Sequence, residues 1–111
     1  MSQFGYHGPM IAVSRFRVSA QKAEEFRAAA DVAVAQFAAS PGCRDAQLVR
    51  NLDDPQLWAI ITDWDQVGDY RRAFNGTAAK MALIPLLSQA IDEPSAYQRP
   101  DDLGPNVPRV G

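Results

Sequence analysis

The segment CRDAQLVRNLDDPQLWAIITDW, residues 43–64, predicts the β-hairpin around which the rest of the domain is arranged. Its second part, Leu57–Trp64, is rich in β-branched and aromatic residues and gives the strongest strand signal in the chain. Residues 43–52 predict another strand, and a turn-forming DDP sequence at 53–55 separates the two. Because this connection is short, the two strands are predicted to pair as an antiparallel hairpin.

The flanking segments complete the pattern of one small α+β domain. Residues 10–18 predict a first strand, and the alanine-rich stretch 20–39 carries apolar residues at helical spacing. Two shorter helices are predicted at 66–74 and 77–87, and a last strand at 91–99. With the adjacent helices counted as one region, this order predicts a ferredoxin-like split βαβ subunit with an antiparallel four-stranded sheet.

One face of that sheet is predicted to remain uncovered by helices. Alternation along the first strand sends Ile11 and Val13 to the face opposite Phe16, and Ile61 lies opposite Ile60 in the third strand. In a monomer these residues would form an exposed apolar patch of roughly several hundred Å². We therefore expect a homodimer in which two sheets pack together about a two-fold axis.

Length, composition and charge exclude several classes of protein. The chain has 111 residues, of which 47% are hydrophobic and 22% charged, as in an ordinary soluble domain. The net charge of −2 argues against nucleic-acid partners and against an anionic membrane surface. No segment resembles a membrane span or a secretory signal, so we expect a cytoplasmic protein. We predict an arm at 1–9, a domain at 10–99 and a Pro/Gly-rich tail at 100–111.

The usual signatures of metal, nucleotide and hydrolase sites are missing from the sequence. It contains no GxGxxG, GxxxxGK[ST], CxxC, HExxH or GxSxG motif. With one cysteine and one histidine, it cannot build a cysteine zinc site or a site of several histidines within one chain. We therefore predict no metal and no cofactor.

The remaining candidates for chemistry are aromatic. Trp64 ends the third strand, and Tyr70 follows it by six residues on the next helix. This spacing can bring both rings to an opening between helix and sheet, where they would suit a flat, hydrophobic ligand. Plain core packing is the alternative for this pair. It is the favoured interpretation for Trp58, which lies on the same strand face but further from the opening.

Four further side chains were considered for polar chemistry. Arg15 could form an ion pair across the dimer or contact a ligand anion. His7 is the one side chain whose ordinary pKa lies near neutrality, and it becomes a candidate base if the arm folds over the opening. Asp63 is the carboxylate alternative for that base. Cys43 has no histidine near it in sequence and is expected to be inert.

Four segments resemble the antibiotic biosynthesis monooxygenase family: VSRFRV at 13–18, PGCRDAQLVRNLDDPQLW at 41–58, TDWDQVGDYRRAF at 62–74 and PLLSQAIDEPSAY at 85–97. The resemblance covers roughly residues 10–98. It implies a ferredoxin-like subunit that pairs into a dimeric α/β barrel. Some members of the family oxidise phenolic rings of aromatic polyketides to quinones with O₂, without flavin, haem or metal.

The resemblance also implies roles for particular residues. In those oxygenases a tryptophan and a tyrosine six residues apart help to bind and activate the substrate, and Trp64 and Tyr70 match them. An asparagine four residues before the tryptophan corresponds to Ile60, and an arginine some twenty residues after it corresponds to Ile84. Both positions depart from the family pattern.

Haem-degrading members of the family have a different pattern. They use a first-strand asparagine and a histidine nine or ten residues beyond the tryptophan. Here the first strand has no asparagine, and Ala73 and Phe74 occupy the histidine positions. The sequence therefore argues against haem degradation.

These arguments lead to one main hypothesis and two alternatives. The main one is a cofactor-independent monooxygenase that oxidises a phenolic or quinol-type aromatic molecule with O₂. The alternatives are a non-enzymatic binder of an aromatic or apolar metabolite, and an assembly domain whose cleft is filled by its own side chains. The predicted catalytic residues are Trp64, Tyr70 and His7. The predicted substrate-binding residues are Trp58, Ile60, Phe74, Ile84 and Arg15.

Overall fold

A computed structural model describes residues 8–103 of the chain. The elements in order are β1 (Met10–Arg17), α1 (Ala23–Ala38), β2 (Cys43–Arg50), β3 (Leu57–Trp64), α2 (Val67–Arg72), α3 (Thr77–Leu87) and β4 (Ala96–Tyr97). The sheet has the order β2-β3-β1-β4, and all neighbouring strands are antiparallel. The predicted α+β fold with a four-stranded antiparallel sheet is confirmed.

The hairpin of β2 and β3 forms as its sequence predicts. Arg50 pairs with Trp58 next to the turn, and β3 pairs on its other side with β1, from Met10 opposite Trp64 to Arg17 opposite Leu57. Because β3 has a neighbour on each side, it lies inside the sheet. Its alternate residues Trp58, Ile60, Thr62 and Trp64 are all buried.

The core lies between one face of the sheet and the three helices. Helix α1 contributes Phe26 and Phe37, with Ala30 and Ala33 fully buried between them, and α3 contributes Leu83. Alanine at these helix positions lets the backbone of α1 approach its neighbours closely. Among residues 8–103, no α-helix covers the other face of the sheet, as the alternation in β1 predicted.

The last strand is much shorter than the sequence predicted. Strand pairing is limited to Ala96–Tyr97, where residues 91–99 had been expected. Pro94 has no N–H to donate, so the ladder cannot continue through it. Residues 88–95 instead form a loop that two backbone hydrogen bonds hold to β1, from Ile91 N to Arg15 O (2.8 Å) and from Val13 N to Ser95 O (2.7 Å).

Helix α3 is less buried than its apolar sequence suggested. Leu83 and Leu86 are buried, but Met81 is 73% exposed and Ile84 is 49% exposed. The helix packs mainly against α1, which covers only one of its sides. No helix within residues 8–103 has the length and apolar character needed to cross a membrane.

Gly42 and Gly76 provide a matched pair of glycine variants. Both have positive φ angles, +88° and +91°, which side chains rarely adopt. A Cβ on Gly42 would also overlap the Asp69 side chain, whereas one on Gly76 would meet no atom within 4 Å. Gly42→Ala is therefore expected to lower the free energy of unfolding by about 1 kcal/mol or more beyond the loss in Gly76→Ala. Urea denaturation of both variants measures the difference, and equal losses would contradict the close contact with Asp69.

Candidate active site

Four aromatic rings meet where β3 ends and α2 begins. Trp64 lies 5.6 Å from Tyr70 and 5.9 Å from Phe37, measured between ring centroids. Phe74 lies 5.4 Å from Tyr70 and 5.8 Å from Phe37. All four contacts have the edge-to-face geometry that aromatic side chains prefer. The sequence prediction that Trp64 and Tyr70 lie side by side is confirmed.

Trp64 does not face an opening, which corrects part of that prediction. Its side chain is fully buried, and its Nε1–H donates a hydrogen bond of 2.8 Å to Oγ1 of Thr62, which is also buried. An indole held in this way supports the ring of Tyr70 from behind. The structure therefore places Trp64 in the core, with its ring against that of Tyr70.

Thr62 is the buried polar partner of this indole, so its removal tests the contact. Thr62→Val leaves the Trp64 N–H buried without an acceptor and is expected to lower the free energy of unfolding by about 1–3 kcal/mol. Thr62→Ser keeps the hydroxyl and should retain more of that stability. Chemical denaturation of both variants, followed by circular dichroism, measures the losses. A valine variant as stable as the serine variant would refute the role of the hydrogen bond.

Tyr70 and Phe74 line a cleft of about 460 Å³ between the helices and the edge of the sheet. We call it the Tyr70 cleft. Ser14 of β1 lies on its sheet side, and the end of α3 and the 88–95 loop complete it. The full lining is Val13, Ser14, Tyr70, Phe74, Leu87, Ser88, Ala90, Ile91, Asp92, Glu93 and Ser95.

The Tyr70 hydroxyl is protonated at neutral pH. Burial raises the pKa of Tyr70, and a hydrogen bond with the Ser95 side chain and the positive charge of Arg71 oppose that rise. A neutral phenol can donate a hydrogen bond to a ligand oxygen but is a poor base at neutral pH. Tyr70 is therefore suited to orient an aromatic ligand in this cleft.

Two carboxylates, Asp92 and Glu93, line the Tyr70 cleft, and Glu93 forms an ion pair with Arg15. Glu93 accepts two hydrogen bonds from Arg15, at 2.7 Å from Nε and 2.8 Å from Nη2. This guanidinium holds the pKa of Glu93 below its usual range. Arg15 itself does not line this cleft but a separate cavity of about 340 Å³ beside Trp58, and its contact with a ligand anion stays a prediction.

Three other predicted substrate-binding residues also lie away from the cleft. Ile60 is buried in the core, 2% exposed, on the same sheet face as Trp64. Ile84 lies on the exposed side of α3. Trp58 lies at the opposite end of β3, about 20 Å from Trp64 along the strand, where the Arg50 guanidinium stacks 4.7 Å above its ring. Its core-packing interpretation agrees with its burial.

Asp63, the carboxylate considered as a base from the sequence, does not line the cleft. Asp63 alternates with Trp64 and lies on the opposite face of the sheet, between Ile11 and Asp45 on the neighbouring strands. This side of the sheet carries a separate cavity of about 510 Å³, which Asp63 and Tyr97 help to line. His7 lies outside the described residues. Within residues 8–103, no group of three or more His, Cys, Asp or Glu side chains is placed to hold a metal ion.

Sequence reasoning missed the polar lining of the Tyr70 cleft. Ser14 was visible as a polar residue between Ala12 and Phe16 on the core-facing side of β1. Asp92, Glu93 and Ser95 were not identified because the sequence predicted a strand through residues 91–99. Ser88 lies between the predicted helix 77–87 and that strand. The hydrogen bonds of the 88–95 loop to β1 bring these groups to the cleft.

The comparisons with known proteins agree on the fold. SnoaB, a cofactor-independent oxygenase from Streptomyces nogalater, is 22% identical with a TM-score of 0.70, and the match covers 92% of this chain and 99% of that one. A conserved protein of unknown function from Bacteroides thetaiotaomicron is 12% identical with a TM-score of 0.71, covering 82% and 97%. A conserved protein from Methanosarcina mazei is 20% identical with a TM-score of 0.69, covering 84% and 94%.

The sequence comparison establishes the family. No curated protein matches the chain in sequence. The profile of the antibiotic biosynthesis monooxygenase family, however, matches residues 9–82, which is more than half of the chain. The matched region includes β1, the β2–β3 hairpin, Trp64, Tyr70 and most of α3. The chain therefore belongs to the antibiotic biosynthesis monooxygenase family.

Proposed function

We propose that the protein is a cofactor-independent monooxygenase that oxidises a phenolic or quinol-type aromatic molecule with O₂ in the Tyr70 cleft. The observation that carries this proposal is that Tyr70 lines a cleft of about 460 Å³ while its ring rests on the buried Trp64. Membership of the family supports the class of reaction. A cytoplasmic location remains a prediction from the sequence.

The proposed reaction needs no external reductant. In a hydroxy-anthrone, the ring methylene loses its hydrogens and becomes a carbonyl. One atom of O₂ enters that carbonyl and the other leaves as water, and the substrate supplies all the electrons. The protein's contribution is to hold the ring against Tyr70 and Phe74 and to assist its deprotonation.

Tyr70 and Phe74 have the main roles in this proposal. The Tyr70 hydroxyl donates a hydrogen bond to a substrate oxygen, and Phe74 packs against the ring and excludes water. His7 remains the base predicted from the sequence. Asp92 is a carboxylate in the cleft lining that forms no ion pair within residues 8–103.

A non-enzymatic binder of an aromatic or apolar metabolite is the second candidate. Ile60 and Ile84 occupy the positions of the asparagine and arginine that the resemblance implies, and neither lines the cleft. Such a site would hold a flat ligand without activating it. Binding without O₂ consumption would favour this candidate.

Oxygen uptake by purified protein stripped of metal and flavin tests the proposal. The substrates are a panel of hydroxy-anthrones and quinols, with an oxygen electrode read beside quinone absorbance. We expect uptake above the uncatalysed rate, accompanied by quinone formation. Quenching of tryptophan fluorescence by the same compounds without uptake would reject the oxygenase in favour of the binder.

We also propose that two copies pair through the sheet face without helices. This face carries Ile11, which is 43% exposed, and the half-buried apolar residues Val13, Val49, Ala59 and Ile61. Burial of such a patch against a second copy removes it from water. Sedimentation analysis is expected to show a dimer that Ile61→Arg dissociates. A monomer at all concentrations would reject the pairing.

A further inference from the structure

We propose that the Tyr70 cleft selects neutral and amine-bearing aromatic molecules over carboxylate-bearing ones, and that Asp92 sets this preference. The inference rests on the proposed ligand-binding function of the cleft but does not depend on catalysis. It concerns the charge that a ligand meets when it enters.

The backbone of the 88–95 loop fixes the place of Asp92. Ile91, the preceding residue, donates its N–H to Arg15 O at 2.8 Å, and Ser95 O accepts the N–H of Val13 at 2.7 Å. The loop is thus attached to β1 on both sides of Asp92. These bonds hold the loop against the sheet, and Asp92 is an exposed residue among those that line the cleft.

Asp92 provides an unpaired charge among the groups that line the cleft. Glu93 is neutralised by its two hydrogen bonds to Arg15. Asp92 has no hydrogen bond or ion pair within residues 8–103. The other polar groups of the lining are hydroxyls, and none of the described lining residues is a lysine or an arginine.

The cations near the cleft do not cancel this charge at the point of contact. Arg15 is occupied by Glu93 and lies outside the lining. Arg71 acts on Tyr70 from the same helix, but it also lies outside the lining. The polar side chains that a ligand can touch in the cleft are therefore hydroxyls and carboxylates, and Arg15 and Arg71 are not among the residues that line it.

This arrangement favours some ligand charges over others. Asp92 is exposed to solvent. A ligand ammonium can donate a charge-assisted hydrogen bond to Asp92, and a ligand carboxylate would face a like charge there. Neutral hydroxyl and carbonyl groups can bond to Ser14, Ser95 and Tyr70 without either effect. The expected order of affinity is amine, then alcohol, then carboxylate.

Calorimetric titration with three probes on one scaffold tests the order: naphthylmethylamine, naphthylmethanol and naphthoate at neutral pH. We expect the amine to bind at least about tenfold more tightly than the carboxylate in the wild-type protein. Asp92→Asn should reduce that ratio several-fold. Asp101→Asn changes the net charge equally at an exposed residue outside the cleft lining and should leave the ratio unchanged.

The possible outcomes separate this inference from the proposed function. Binding that is independent of probe charge, or a ratio that Asp92→Asn and Asp101→Asn change equally, would overturn the inference and leave the oxygenase proposal standing. Failure of all three probes to bind would overturn both the charge preference and the proposal that the Tyr70 cleft binds aromatic ligands. Loss of oxygenase activity alone, with the charge preference intact, would overturn only the proposed reaction.

Discussion

Tyr70→Phe is expected to reduce the rate of O₂ uptake with a hydroxy-anthrone by about tenfold or more. The substitution removes the hydroxyl that faces the cleft and keeps the ring that packs against Trp64 and Phe74. Since the packing is preserved, the stability of the protein should change little. Steady-state oxygen consumption and thermal unfolding of the same preparation measure the two effects separately.

Tyr97→Phe is the matched control for this variant. Tyr97 is 53% exposed, its hydroxyl contacts only Pro94 O at 3.3 Å among the described residues, and it lines the cavity on the other face of the sheet. Its loss is expected to leave the rate unchanged. An unchanged rate in Tyr70→Phe, or an equal loss in both variants, would remove the Tyr70 hydroxyl from the mechanism.

Phe37→Ala is expected to lower the free energy of unfolding by about 3–5 kcal/mol. The Phe37 ring is 2% exposed and contacts the rings of both Trp64 and Phe74. Its removal leaves a cavity beneath the aromatic cluster that these residues form with Tyr70. Urea denaturation, with the slope checked for two-state behaviour, gives the loss.

Val32→Ala is the control on the same helix. Val32 is 57% exposed, so its truncation should change the free energy of unfolding by less than about 0.5 kcal/mol. If Phe37→Ala were as mild as Val32→Ala, the packing of the cluster would be looser than the ring distances indicate. Because Phe37 supports Trp64, its loss should also weaken ligand binding in the Tyr70 cleft.

The sequence predicted most of the fold because its strands alternate clearly. The spacing of polar and apolar residues predicts which residues of β1 and β3 face the core. The short turn at residues 53–55 predicts the antiparallel hairpin. The end of the chain was harder. Pro94 interrupts the predicted strand because it has no N–H to donate, but only tertiary hydrogen bonds to β1 make residues 88–95 a loop.

The candidate site was predictable in part for the same reason. The six-residue spacing of Trp64 and Tyr70 indicated that their rings meet, and they do. Spacing could not show that the Trp64 indole N–H donates a hydrogen bond to Thr62, or that the Trp64 side chain is buried away from the cleft. Alternation alone, however, already places Asp63 on the opposite sheet face from Trp64, so its exclusion from the cleft was available from the sequence.

A crystal structure of the protein with a hydroxy-anthraquinone, the product expected from a hydroxy-anthrone, would show whether the aromatic ligand binds beside Tyr70. We expect the quinone ring in the Tyr70 cleft, with its oxygen within hydrogen-bond distance of the Tyr70 hydroxyl and one face against Phe74. A quinone bound instead in the cavity lined by Asp63 and Tyr97, or excluded from the Tyr70 cleft at saturating concentration, would contradict the assignment.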